Sequence, residues 1–250
     1  MNPMSAVNFV TNALYRRTPL GIRRFLYRGT ERYCGLCESS VRYFCPAGLD
    51  SRPDARCPVC NSLERHRLLK IVAGQKTGLF NEARKRILHI APEEAIERLV
   101  RKLPGVTYLS ADLEDPRAGV RMDITGISYP DSAFEVILCS HVLEHVPDDR
   151  KALQEFHRVL SPGGWAMIQI PISDPVTFED PTITDPEERL RLFGQRDHVR
   201  RYGPDVRQRM QEAGFAVEEI TTEEAASEDE ARRMGLMKGD RVYICRKTPA

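Results

Sequence analysis

The apolar run FEVILCS, residues 134–140, does most to limit what this chain can become. A run of that kind suits a strand covered on both faces, which calls for helices on either side of a sheet. Such helices are at hand. After the run, Leu153, Phe156, Val159 and Leu160 share one face of a helix expected from about Asp148. SPGG at 161–164 is expected to close it, and WAMIQI at 165–170 forms the next strand. Strand, helix and strand in that order make a right-handed crossover between parallel neighbours. The pattern begins earlier, in RILHIAPEEAIERLV at 86–100, where Ile87, Leu88 and Ile90 form a strand. Ala95, Ile96, Leu99, Val100 and Leu103 then recur at helical spacing. Val106 to Ala111 reads as a second strand ending at Asp112, and a third short strand ends at Asp123. Downstream, DVRQRMQEAGF is a short helix stopped by Gly214, and AVEEITT and DRVYICRK are two closing strands. The acidic stretch between them, TTEEAASEDEARR, reads as solvated. Strands alternating with helices predict an α/β fold with a doubly wound, mostly parallel sheet.

Two segments do not fit that alternation. Residues 171–204 carry prolines at 171, 175, 181, 186 and 204 and little periodicity, which is too long for a connector and suits a lid or binding loop. Upstream, Cys34-Gly-Leu-Cys37 and Cys57-Pro-Val-Cys60 stand nineteen residues apart. This is the paired-knuckle spacing of a structural zinc ribbon, in which two thiolates from each CxxC converge on one tetrahedral ion. Disulfides or redox pairs are the other readings; a reducing compartment argues against the first, and the lack of an adjoining βαβ unit against the second. Cys45 and His66 are spare ligands and read as bystanders. ERHRLLKIVAG at 64–74 is expected to be a linking helix ended by Gly74. Residues 1–33 interleave Arg16, Arg17, Arg23, Arg24, Arg28 and Arg32 with Phe9, Leu14, Leu20, Ile22, Phe25 and Leu26. Between a surface-binding arm and a helix packed on its own domain, the second is preferred. The organisation expected is therefore a basic arm and zinc module over 1–75 and a sheet domain over 76–250.

Charge and hydropathy narrow the class. With 37 basic and 36 acidic residues the formal net charge is +1, so no overall field draws in a polyanion, and a nucleic-acid partner is disfavoured. No apolar run approaches a membrane span, and MNPMSAVNFV lacks the charged start of a secretory signal; a soluble, cytoplasmic protein is expected.

Residues 123–172, DITGISYPDSAFEVILCSHVLEHVPDDRKALQEFHRVLSPGGWAMIQIPI, resemble the class I S-adenosylmethionine-dependent methyltransferases of the type 11 kind. The CxxC pair, the C-P-V-C-x-S-L-E-R-H-R segment and the L-H-I-A-P-E turn look like a zinc-bearing subgroup of them. The resemblance spans about residues 80–250 and implies a seven-stranded Rossmann-like sheet that binds S-adenosylmethionine and releases S-adenosylhomocysteine. Carried onto this chain, it puts the ribose-binding carboxylate at Asp112 and the adenine-binding one at Asp123. Leu113 and Ile124 become adenine neighbours, and Ser140 and His141 line the pocket. Asp112 lies twenty-two residues beyond Ile90, close to the ~20 expected of a ribose-binding carboxylate. Each aspartate could instead serve as a cap or turn residue.

The chain departs from the family at the opening turn. His89 stands where the family has an acidic residue, and Ala91, Glu93 and Ala95 stand where it has glycines. A silent pocket is one consequence to be tested. Glycines and a helix N-terminus are needed to cradle a pyrophosphate, whereas S-adenosylmethionine carries an ammonium and a sulfonium. Glu93 is therefore expected to meet the ammonium, with Pro92 stiffening the turn; capping the helix dipole is its plainer role. His145 and His198 are the candidate catalytic bases for an O or N acceptor. Arg196, Asp197, Arg200 and Tyr202 offer the lid polar groups for that acceptor.

Three rivals stand beside this. His141, Glu144 and His145 satisfy the H-x-x-E-H pattern of inverted zinc peptidases, but that pattern needs a helix and here begins where a strand ends. A zinc ribbon joined to a silent Rossmann-like domain would be a partner-binding module. Certain ribosomal RNA methyltransferases also carry a cysteine-bound zinc, which leaves RNA as an alternative acceptor. A small molecule or biosynthetic intermediate, methylated at O, N or S, is the preferred one; the oligomeric state is left open.

Overall fold

The computed structural model describes residues 18–48 and 51–248. Its centre is a seven-stranded sheet built from β5 (Lys85–Ile90), β6 (Val106–Asp112), β7 (Val120–Arg121), β8 (Phe134–Ser140), β9 (Leu160–Gln169), β12 (Ala216–Thr221) and β13 (Arg241–Arg246). In space the order is β12-β13-β9-β8-β5-β6-β7, with β5 to β9 parallel and β13 inserted antiparallel between β9 and β12. Strand order therefore reverses between β5 and β8, the place where open α/β sheets bind ligands beyond the carboxyl ends of their strands.

Alternation along β8 shows why the run had to be apolar. Val136 and Leu138 face one layer, with Leu68, Leu69, Val72 and Ala73 of helix α2 (Glu64–Lys76) and Ile96 and Val100 of α3 (Glu94–Val100). Ile137 and Cys139 face the other, with Ala152, Leu153, Phe156 and Val159 of α4 (Asp149–Val159) and Met210 of α6 (Val206–Glu212). Successive strand side chains point to opposite faces, so both layers draw on a single seven-residue strand. Asp148 caps α4 by accepting a hydrogen bond from the Lys151 amide at 2.9 Å.

Several boundaries differ from expectation. Helix α2 runs through Gly74 to Lys76, because Val72 and Ala73 bury its last turn against the sheet and Thr77 leaves in an extended conformation. SPGG does not follow α4 as a loop; β9 begins at Leu160, and Gly164 passes so close to the Glu135 carbonyl that a Cβ would sit 2.9 Å from it. Asp123 stands two residues past the end of β7. Residues 222–234 are not merely solvated. Thr221 and Ser227 cap two short helices, α7 (Thr222–Ala225) and α8 (Glu228–Met234), and the second docks the N-terminal module. Arg67, fully buried, donates to the carbonyls of Ser62, Ala55 and Gly235 at 3.2, 2.9 and 3.2 Å, and to that of Met234 at 2.5 Å.

The described part of the basic arm packs on the N-terminal module. Arg16, Arg17, Phe9 and Leu14 lie outside the described residues. Helix α1 (Leu20–Leu26) is held by arginines rather than by its apolar face: Arg23 donates to the Val59 carbonyl at 2.8 Å and Arg24 to that of Cys37 at 2.7 Å, while Ile22, Phe25 and Leu26 are exposed. Among the described residues no helix is long and apolar enough to cross a membrane.

Candidate active site

The N-terminal module is made of two short hairpins, β1 (Arg28–Cys34) with β2 (Ser39–Val41), and β3 (Cys45–Ala47) with β4 (Arg52–Arg56). They bring Cys34, Cys37, Cys57 and Cys60 together, with one sulfur from each within 4.8 Å of the others. Sulfur separations of 3.5 Å (Cys34 to Cys60) and 3.8 Å (Cys37 to Cys57) are far beyond a disulfide bond. They match the ~3.8 Å that ~2.3 Å Zn–S bonds impose across a tetrahedron. The donor set thus fits a closed structural zinc site. Cys45 and His66 stand outside it. Burial pushes the Cys45 thiol up, and His66 has a different partner.

That partner is Glu93, in the opening turn. Its Oε2 lies 3.1 Å from His89 Nε2, and its Oε1 lies 3.4 Å from His66 Nε2. His89 Nδ1 in turn meets the Tyr108 hydroxyl at 2.9 Å. Burial alone would raise the pKa of Glu93, but the two neighbouring histidines hold it well below the usual carboxylate range. Burial lowers that of His66. A zinc-module helix and the first βα turn of the sheet are thereby joined through one carboxylate.

Glycine's task in that turn is taken by Ala91, which adopts φ of +45° and donates its amide to the Ala111 carbonyl at 2.8 Å. A left-handed alanine costs roughly 1–2 kcal/mol, so the turn keeps the shape of the glycine-rich version at some cost in strain. His141, at the tip of neighbouring β8, repeats the device with φ of +54°. Strain of this sort concentrates where function requires it.

Beside the turn, Asp112 spends Oδ1 on the amides of Glu114 and Asp115, both at 2.8 Å, which orients the carboxylate. Asp123 likewise uses Oδ1 on the amide and hydroxyl of Thr125, both at 2.8 Å. Each is thus a turn residue, and each keeps Oδ2 without a hydrogen-bond partner among the described residues. Leu113 is 49% exposed next to Asp112, whereas Ile124 is buried beneath Asp123. Ser140 is buried behind the strand tips, near Gln169.

A cavity of about 810 Å³ has His141 in its wall. Its wall takes Arg52 and Glu64 from the N-terminal module, Gln169 from the end of β9, His198 from the lid, and Asp240 from the turn before β13. His145 and His198 meet there edge to face, with ring centroids 4.6 Å apart. Burial lowers the pKa of His198, against the opposing effect of Glu144. Burial also raises that of Asp240, with Glu64 adding to it.

Arg200 and Tyr202 line this cavity, and their polar groups are also engaged within the protein. The lid forms a two-residue ladder, β10 (Phe178–Glu179) with β11 (Arg200–Arg201), and a helix α5 (Pro186–Phe193). Arg200 donates to the carbonyls of Leu143, Val146 and Pro147 and to Glu179, and the Tyr202 hydroxyl donates to Asp149 at 2.6 Å. These groups lock the lid down. Arg196 pairs with Glu187, and Asp197 with His145. H-x-x-E-H falls on a strand tip and a single 3-10 turn, Leu143–His145, so its two histidines are not set on one face of a helix.

The fold is that of the class I S-adenosylmethionine-dependent methyltransferases. A family model described as a methyltransferase domain matches residues 60–220, and the chain belongs to that family. Malonyl-[acyl-carrier protein] O-methyltransferase of Halorhodospira halophila is 31% identical over 143 residues, which is 55% of this chain and 43% of that protein. The chain therefore spans less than half the length of this relative. Among solved structures, the 1,6-didemethyltoxoflavin-N1-methyltransferase of Burkholderia thailandensis, with bound 1,6-didemethyltoxoflavin and S-adenosylhomocysteine, is 16% identical. The match covers 74% of this chain and 78% of that one, with a TM-score of 0.50. The [4+2]-cyclase SpnF is 14% identical over 84% of this chain and 89% of its own, with a TM-score of 0.51. One fold carries both names, so activity has to be argued from the site.

Proposed function

We propose that the chain is an S-adenosylmethionine-dependent methyltransferase acting on a small molecule or biosynthetic intermediate, at O, N or S. The observation that carries this is the set of groups past the carboxyl ends of β5, β6 and β7: Ala91 in glycine's conformation, Glu93 half-buried beside it, and Asp112 and Asp123 each with one carboxylate oxygen to spare. Asp112 would accept from the ribose hydroxyls and Asp123 from the adenine amine, with Leu113 against the ring. Glu93, oriented by His89 and His66, would hold the ammonium. The four cysteines would hold a structural zinc ion, which contributes to folding and not to the reaction.

In the transfer itself, the acceptor's lone pair forms the new bond to carbon as the S–CH₃ bond breaks and leaves its electron pair on sulfur. The sulfonium is already activated, so alignment does most of the work. An O–H or N–H acceptor also sheds a proton, and the cavity offers His145 and His198 for it. Names of relatives include O- and N1-methylation, and the mixed charge of the cavity wall, Arg52, Glu64, Arg201 and Asp240, suits a polar metabolite.

Glu93→Gln should weaken S-adenosylmethionine binding by about 10–100-fold, the worth of a charge-assisted hydrogen bond. Unchanged affinity would remove the ammonium role. For the acceptor, labelled methyl groups from the cofactor are followed into fractions of a cell extract. Label in the small-molecule fraction is expected; label in RNA would transfer the activity to the alternative acceptor, and label in neither would favour a silent binding module.

A further inference from the structure

We infer that Glu144, His145 and His198 form a second metal site, for a divalent transition cation, in the wall of the acceptor cavity. One ligand atom from each lies within 4.8 Å of the other two. Two come from the turn after β8 and the third from the lid, more than fifty residues on, so no local motif announces the set.

How the rings are held points to a metal. His145 Nδ1 lies 3.1 Å from Asp197 Oδ2. His145 thus has a carboxylate beside its ring, as metal-binding histidines commonly do. Glu144 is 1% exposed and His198 6%. Glu144 Oε2 and His198 Nε2 are both buried with no hydrogen-bond partner. Buried polar atoms are normally satisfied, and two orphans on neighbouring groups facing one cavity require an explanation. A cation between them supplies one. Glu144 Oε1 is meanwhile steadied by His141 Nδ1 at 3.3 Å.

Two imidazoles and a carboxylate suit zinc, cobalt, iron(II) or manganese, and leave coordination positions open toward the cavity. They differ in kind from the four thiols of the N-terminal module. Resting on the methyltransferase reading of this cavity, the site selects acceptors with a hydroxyl, phenol or carboxylate able to bind the ion. A coordinated hydroxyl has a lowered pKa. Its proton passes to water, its oxygen attacks the methyl carbon, and the S–CH₃ electron pair stays on sulfur; the cation's charge does not change. His145 and His198 then act as ligands instead of bases, and the ion clamps the lid to the sheet.

The test is a cobalt(II) titration of the full chain with its cysteine site already filled, read by visible absorption and elemental analysis. One added equivalent is expected, with weak d–d bands and no thiolate charge-transfer band. His198→Gln and His145→Gln should each weaken it by about 100-fold, the upper end of what loss of even a supporting group costs, while the cysteine-bound ion is retained. Either histidine variant alone suffices if the other fails to fold. No added equivalent in the unmodified chain, or unchanged affinity in a folded variant, overturns the site. S-adenosylmethionine binding is measured on the same samples. Cofactor binding without the added ion removes the metal site and leaves the methyltransferase reading. Binding of the ion without the cofactor does the reverse.

Discussion

Cys57→Ser should unfold the N-terminal module and lower the melting temperature of the whole chain by about 10 °C, on the scale of 2–4 °C per kcal/mol for a chain of this size. The module cannot hold itself together otherwise. Its buried hydrophobic cluster comprises Cys34, Val41, Phe44, Cys57, Val59 and Cys60, so half of that core consists of thiols. Domains with so little apolar burial depend on a metal or cross-links. Damage would also spread. Arg67 fastens the module to Met234 and Gly235, and His66 reaches Glu93, so a chelator should weaken cofactor binding as well as stability. Calorimetric melting with and without chelator checks this; coincident melts would show that the thiols hold nothing.

Asp149→Ala is expected to cost roughly 3–5 kcal/mol, the penalty for leaving a buried charge without its partner. Asp149 is 2% exposed and receives hydrogen bonds from Arg209 at 3.0 and 3.1 Å and from Tyr202, with Arg200 at 3.8 Å. Its loss removes the fully buried anion facing Arg209 and leaves that arginine only the Glu179 carboxylate, which is 38% exposed. Asp149→Asn keeps the shape without the charge and should cost less. Urea unfolding of both variants tests the ranking, and equal stability to the parent would contradict it. Glu179 closes the same network. Hydrogen bonds from Arg209 and Arg200 outweigh its burial and bring its pKa to about 2 from 4.5. The stability it lends is full above pH 4.5 and is lost as pH falls toward 2.

The sheet was legible because period and burial agree. FEVILCS could only be a central strand, and Asp112 fell at the ribose spacing without help from any glycine. The family resemblance added the role of Asp123. What stayed hidden depended on long-range packing. TTEEAASEDEARR is rich in acidic residues, and only the carbonyls just past its end, at Met234 and Gly235, taken up by Arg67, reveal its docking role. That Arg200 and Tyr202 also bind Glu179 and Asp149 is beyond what one sequence can show. Glu144 was visible within H-x-x-E-H, but its neighbour His198 lies across the lid. His66 reads in the sequence as a spare zinc ligand, and no local pattern pairs it with Glu93.

Isothermal titration of the zinc-replete full chain with S-adenosylmethionine and S-adenosylhomocysteine tests most directly whether a turn without glycine still holds the cofactor. Micromolar binding of both is predicted, about −8 kcal/mol, falling at least about 10-fold in Asp112→Ala, where a hydrogen bond to a charged group is lost. A folded chain that binds neither ligand, or binds both as well without Asp112, would contradict the account.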